Sequence, residues 1–293
     1  MSRSILARIL VVAVAALAVS CADEPATPDF VVGAGNSAES DLLAQIYAQG
    51  LARTGLQVSV KGELGDRAGY LAALDAGTVS LVGEHNGELL EFFDSGTAAR
   101  TPAEVTKALH GSLPEGLVVA DAADGTDMRP RVLIPAAAAE QQQVRSIAAL
   151  GPRCPELAAG LAPVPAVLRA PAVPVAVAGC AFRETSVLPG PEGLREALLD
   201  GRIQAGVLSG PPALAPDALA GLTVLTDAEY ALRAQNVLPV LRKGSLDQQR
   251  LKKLNYVAGE LTTDELAELL RRIRAGELTS ADAARTWLDA HGL

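Results

Sequence analysis

Aromatic residues are scarce in this chain of 293 residues: one Trp, four Tyr and four Phe make up 3% of it. A site that stacks nucleobases, or that boxes a cation between several rings, has few faces to draw on. Positive charge is in deficit as well, with 25 Lys and Arg against 34 Asp and Glu and a formal net charge of −9. Nucleic acid is therefore excluded as a main partner, because phosphate binding needs a basic face. Only three histidines occur, His85, His110 and His291, too scattered in sequence for a recognisable metal site. Neither a G-x-S-x-G elbow nor an H-E-x-x-H helix is present. The expectation is a protein without metal, cofactor or enzymatic activity. The aliphatic run from Ile9 to Val19 is too short to cross a hydrocarbon core of ~30 Å as a permanent helix.

That run follows Arg3 and Arg8, and small residues Ala18, Val19 and Ser20 lead from it into Cys21. Asp23, Glu24, Pro25 and Pro28 come next and read as a tether. The pattern resembles the export signal and lipobox of bacterial lipoproteins, with residues 1–20 as signal peptide, residues 21–29 as tether and Cys21 as the lipidated residue. Two or more acyl chains give lasting anchorage. The expected location is the outer face of the cytoplasmic membrane, lipid-anchored and extracytoplasmic. Removing the signal takes Arg3 and Arg8 away, which leaves 23 basic against 34 acidic residues, or about −11. Cys154 and Cys180 then remain as an even pair in an oxidising compartment. A disulfide between them would contribute ~3.5 kcal/mol through chain entropy; two unrelated buried thiols are the alternative. The segment between them is rich in Pro and Ala, including Pro155, Pro163, Pro165, Pro171 and Pro174.

From Phe30 onward, short apolar runs alternate with amphipathic stretches. Phe30–Gly33, Gln57–Val60 and Val79–Val82 read as strands, with helices over Asn36–Arg53 and Asp66–Ala76 between them. A second series runs from about Val132 to Leu225, with a helix over Glu192–Asp200 and strands over Gln204–Leu208 and Leu222–Leu225. After a strand at Val237–Arg242 the chain ends in three helices, with caps at Ser245, Thr262 or Thr263, and Thr279 or Ser280. Strands separated by helices of this length predict βαβ units and parallel sheets. Gly33-Ala34-Gly35-Asn36-Ser37-Ala38 fits the G-x-G-x-x-A form of a dinucleotide-binding turn, but no acid follows the second strand, which ends at Val60 before Lys61. The turn reads better as a strand feeding a helix capped by Asn36 and Glu39, whose first amides suit a carboxylate. Glu84 and His85 are not a catalytic pair, since neighbours on a strand point to opposite faces.

Gly62-Glu63-Leu64-Gly65-Asp66-Arg67-Ala68-Gly69-Tyr70, then Ala72-Ala73-Leu74-Asp75-Ala76-Gly77, then Glu84-His85-Asn86-Gly87-Glu88-Leu89-Leu90 form an ordered series. The ending Asn236-Val237-Leu238-Pro239-Val240-Leu241-Arg242, with Leu254-Asn255, Leu261-Thr262-Thr263 and Ala284-Arg285-Thr286-Trp287-Leu288, continues it. In these segments the chain resembles the substrate-binding lipoproteins of osmoprotectant ABC importers, which bind glycine betaine, choline, carnitine and relatives. The likeness covers residues 30–135 and 195–293. It implies a type II periplasmic-binding-protein fold: two α/β lobes, joined by two crossing strands near Leu133–Ala136 and Asn236–Val240, with the ligand cleft between. Residues 30–132 plus 239–293 would form lobe one and residues 133–238 lobe two. The implied partners are a small solute and an ABC permease with its ATPase, the receptor itself being a monomer that closes on its ligand by hinge motion.

In the family a cage of tyrosines holds the quaternary ammonium, and this chain departs from the family there. His85 and Asn86 replace the tyrosine and threonine of an E-Y-T-G motif, Gln235 stands near a second tyrosine, and Ser209-Gly210-Pro211-Pro212 replaces a T-T-D segment. Tyr47 and Tyr256 are expected to pack on helices and Tyr70 within its motif, which leaves Tyr230 as the plausible cleft aromatic. The expected ligand contacts are Asn36, Ser37, His85, Asn86, Ser209, Tyr230, Gln235 and Asn236, which offer hydrogen bonds in place of most π faces. The implied function is a lipid-anchored solute receptor whose ligand need not be a quaternary amine. The other classes open at this point are an envelope structural or interaction lipoprotein and an enzyme on the same two-lobe fold.

Overall fold

The structure is a computed structural model that describes residues 30–164, 168 and 176–293, so Cys21, the tether and Pro165, Pro171 and Pro174 lie outside the described residues. Two mixed sheets organise the chain. The first contains β1 (Phe30–Gly33), β2 (Val58–Lys61), β3 (Leu81–His85), β4 (Leu117–Val119) and β10 (Val237–Arg242), in the order β2-β1-β3-β10-β4. The second contains β5 (Arg131–Pro135), β6 (Ala158–Ala162), β7 (Glu184–Val187), β8 (Ala205–Leu208) and β9 (Leu222–Val224), in the order β7-β6-β8-β5-β9.

The sheets are not wholly parallel as the βαβ pattern predicts. β10 runs against β3 and β4, and β5 runs against β8 and β9. Each is the first strand after the chain passes from one sheet to the other, so it enters from the facing edge and runs away from it. Val237 therefore pairs with His85 at the end of β3, and Arg131 with Leu208 at the end of β8. The segments that join the sheets lie before these strands, at residues 120–130 and 225–236. Leu133–Pro135 and Val237–Val240 are accordingly inside the sheets, a correction to the expected crossings.

Helices cover both faces of the first sheet, as parallel strands require. One face carries α1 (Ala38–Ala52), α8 (Gln248–Glu260), α9 (Thr263–Arg274) and α10 (Ser280–Ala290), with Leu42, Leu43, Ile46 and Leu51 of α1 fully buried. The other carries α2 (Arg67–Asp75), α3 (Asn86–Phe93) and α4 (Pro102–Ser112), around Tyr70, Leu74, Leu90 and Leu109. Burying each such leucine contributes ~1.5–3 kcal/mol. In the second sheet α5 (Ala136–Gln141) and α6 (Ile147–Leu150) lie on one face and α7 (Pro191–Leu199) on the other. Gly160 and Gly206 allow α7 its close approach, because a Cβ at either would come within 3.2 Å of the Leu194 Cδ1. An apolar core continues from lobe one to lobe two through α9 and the turn Pro212–Leu214, which packs against it.

Caps fix the helix starts, with some differences from the sequence reading. Ser37, not Asn36, caps α1 by accepting from the Ser40 amide, which frees Asn36 and Glu39 for other partners. Asp247, not Ser245, caps α8, while Thr262 and Thr279 cap α9 and α10. Tyr256 is 68% exposed and does not pack, whereas Tyr47 and Tyr70 are buried. Cys154 and Cys180 are joined in a disulfide with a Cα–Cα distance of 5.2 Å.

Candidate functional site

In lobe one β3 runs directly into α3, and the geometry of this junction follows from strand alternation. Glu84 points with Val82 toward α2, and His85 points with Leu81 and Gly83 toward α1. Glu84 accepts from Arg67 Nε at 2.9 Å, from the Tyr70 hydroxyl and, through Oε2, from the His85 amide at 2.9 Å. Arg67 also pairs with Glu88. Burial works to lower the Arg67 pKa, but the charges of Glu84 and Glu88 outweigh it and hold the guanidinium above its ordinary value. The sequence series Asp66-Arg67-Ala68-Gly69-Tyr70 and Glu84 thus serves as a scaffold that stiffens the end of β3. Opposite it, His85 Nε2 lies 2.8 Å from Glu39 Oε1, and both side chains are buried.

Apart from His85 and Tyr230, the expected contacts fall into three groups. Asn36 is exposed at the end of β1 and accepts from the Gly65 amide at 3.1 Å, next to the capping Ser37. Asn86, Gln235 and Asn236 join α3 to the second crossing. Asn86 Oδ1 accepts from the Asn236 amide at 2.8 Å, and the Gln235 Oε1 accepts from the Glu88 amide at 2.9 Å. Gly87 makes room for this, since a Cβ there would lie 2.0 Å from the Ala234 carbonyl oxygen. Ser209 sits at the end of β8 in lobe two, 4% exposed, and its hydroxyl has no hydrogen-bond partner among the described residues.

Tyr230 is the aromatic expected in the cleft, and its surroundings differ from a cage. The residue adopts φ 53°, a left-handed conformation uncommon for a bulky side chain, and the Arg129 guanidinium carbon lies 4.4 Å from the ring centroid. One face is therefore taken by a cation of the protein itself. Arg129 also pairs with Asp127 at 2.9 Å and Asp227 at 3.0 Å, and so ties the first crossing to the second. Thr126 completes the tie: its carbonyl accepts from Asn236 Nδ2 at 2.6 Å and its hydroxyl from the Val237 amide at 2.9 Å. Thr126, Asp127, Arg129, Asp227 and Glu39 were not among the expected contacts. A charged run, Asp127-Met128-Arg129-Pro130-Arg131, directly before an apolar strand was the available signal for part of this group.

Residues 28–290 match the family described as the substrate-binding domain of ABC-type glycine betaine transport system. The chain belongs to this family. Among solved structures, one of a glycine betaine/carnitine/choline ABC transporter aligns with a TM-score of 0.68 at 14% identity, covering 90% of this chain and 98% of that one. Apo YehZ from Escherichia coli aligns with a TM-score of 0.66 at 21% identity, covering 91% and 99%. A choline binding protein in complex with choline aligns at 0.52 and 14% identity, covering 90% and 88%. None of the curated proteins matches the chain. At these identities the structural likeness establishes the fold, two lobes of the periplasmic-binding type. As a family member the chain is a solute-binding component of the ABC-type osmoprotectant importers, an extracytoplasmic role, and not an enzyme.

Proposed function

We propose that this family member captures a small hydrogen-bonding solute that is not a quaternary ammonium, closes its lobes over it and delivers it to an ABC permease and ATPase. The observation that carries the ligand reading is the engagement of the substituted positions. His85 is paired with Glu39, Gln235 is bonded to the start of α3, and Tyr230 lies beneath Arg129. A quaternary ammonium has no N–H to donate and depends on aromatic faces, each worth ~0.5–2 kcal/mol. Asn36 from lobe one and the Ser209 hydroxyl from lobe two supply hydrogen-bonding groups instead. Contacts from both lobes make ligand bind the closed state better, which shifts the population toward closure.

Calorimetry with glycine betaine and with choline tests this reading. Both should bind more weakly than ~1 mM, an affinity of ~4 kcal/mol, and micromolar binding of either would overturn it. A thermal-shift screen of osmolytes, amines and neutral metabolites then identifies the solute, whose binding Ser209→Ala should weaken without much change in the free protein's Tm, whereas His85→Ala should lower that Tm by leaving Glu39 buried without its partner. Anchorage belongs to the same proposal. Cys21→Ala should release the protein from membranes or block its processing, and a variant that is cleaved correctly and still sediments with membranes would refute the lipid anchor.

A further inference from the structure

The disulfide touches the inter-lobe connection through a short relay. Cys180 closes a turn in which the Ala178 amide donates to the Ala231 carbonyl at 2.8 Å, and Ala231 belongs to the second crossing. The Ala231 and Leu232 amides donate in turn to the Asp227 carboxylate, at 2.7 and 3.0 Å. That carboxylate also receives Arg129, which covers Tyr230. At the other end Cys154 is fully buried in the lobe-two core beside Leu150. The turns that carry the two cysteines are in backbone contact, because a Cβ on Gly151 would lie 2.8 Å from the Gly179 carbonyl oxygen. A cavity of about 590 Å³ separates these turns from residues 226–231, with Pro152 and Gly179 on one wall and Ala228 and Glu229 on the other. Ala178 and Ala231, which also line it, join its walls.

We propose that the Cys154–Cys180 disulfide braces the hinge: it holds the turn at 176–180 against the second crossing and thereby positions the Asp227, Arg129 and Tyr230 cluster that links both crossings. The bridge acts on the native state here, in addition to restricting the unfolded chain. A bridge that works only on the unfolded chain lowers stability when removed but leaves native amide exchange at the hinge unchanged relative to the lobe-two core.

Residue-resolved hydrogen exchange on the whole protein, well below its melting temperature, distinguishes the two. After reduction with a phosphine, or in the Cys154→Ser/Cys180→Ser variant, the amides of Ala178, Ala231 and Leu232 should exchange about tenfold or more faster while β6 and β8 stay protected. Ala178→Pro, which removes the donor and keeps the disulfide, should speed Ala231 and Leu232 in the same way. This second variant decides the matter if loss of the bridge opens the whole of lobe two. Unchanged exchange at Ala231 and Leu232 in the folded reduced protein, or in Ala178→Pro, overturns the proposal.

Discussion

Glu84 has no exposed surface and yet serves three donors from three directions, Arg67, the Tyr70 hydroxyl and the His85 amide. Removing one member of a buried, hydrogen-bonded ion pair leaves the other charge uncompensated, at a cost of ~3–5 kcal/mol. Glu84→Ala should therefore lower the unfolding free energy by about 3 kcal/mol or more in urea titrations, and a loss under about 1 kcal/mol would show that Glu88 and water replace it. Tyr70→Phe removes one donor and leaves the ion pair, so it should cost about 1–2 kcal/mol. The neighbouring His85 has a different dependence: its partner Glu39 comes from α1, so the two residues side by side in sequence belong to separate networks on opposite sides of one sheet.

Among elements, α9 has the most pronounced division between a polar face and an apolar one, with Leu266, Ala267, Leu269 and Leu270 buried. The Thr262 hydroxyl caps it, and Thr263 fastens its start to the first crossing by accepting from the Asp127 amide at 2.7 Å. The helix also receives the turn Pro212–Leu214 from lobe two, so it forms a contact between lobes besides the two crossings. Leu214 is 4% exposed, and Leu214→Ala should cost ~2–4 kcal/mol through lost burial and a residual cavity. Hydrogen exchange in α9 should rise in this variant. Leu225→Ala, in the lobe-two core on the opposite face of the sheet, should cost a similar amount and leave α9 exchange unchanged. Equal effects of the two variants on α9 would mean that the turn does not hold the helix.

For the molecule as a whole, the segments between the sheets connect the two lobes, and their bracing is partly electrostatic. Burial would raise the Asp127 pKa, but the hydrogen bond from Arg129 and the charges of Arg131 and Arg129 outweigh it and hold the carboxyl below its ordinary value. A carboxyl whose folded pKa is depressed contributes stability that is complete above its unfolded pKa of ~3.9 and is lost as pH falls through the folded value. Stability measured by denaturant titration should thus fall as the medium is acidified below about pH 4, and Asp127→Asn should flatten that part of the curve. A slope unchanged by the substitution would place the acid sensitivity elsewhere. Because the side chain is 40% exposed, salt should reduce the effect.

Periodicity and caps made the alternating strands and helices legible, because an apolar stripe at helical or strand spacing has to be buried and βαβ units bury it in one way, while the division into two lobes was legible only through the resemblance of the motif series to a known family. The pair Cys154 and Cys180 was legible for a similar reason: once Cys21 is read as the lipidated residue, two remaining cysteines leave few alternatives. The direction of β5 and β10 was not, since it depends on the edge from which a strand enters a sheet and not on its composition. Nor were the partners of the polar residues. Asn86, Gln235 and Asn236 look alike in sequence whether they face a solute or each other, and only the tertiary structure turns them toward α3 and the second crossing. Glu39 reads as a helix cap until the fold brings His85 within 2.8 Å of it. The sequence by itself determined which residues must be buried and which elements they form. The tertiary structure decided which polar atoms satisfy one another, because hydrogen-bond partners far apart in the chain are set by packing and leave no periodic trace.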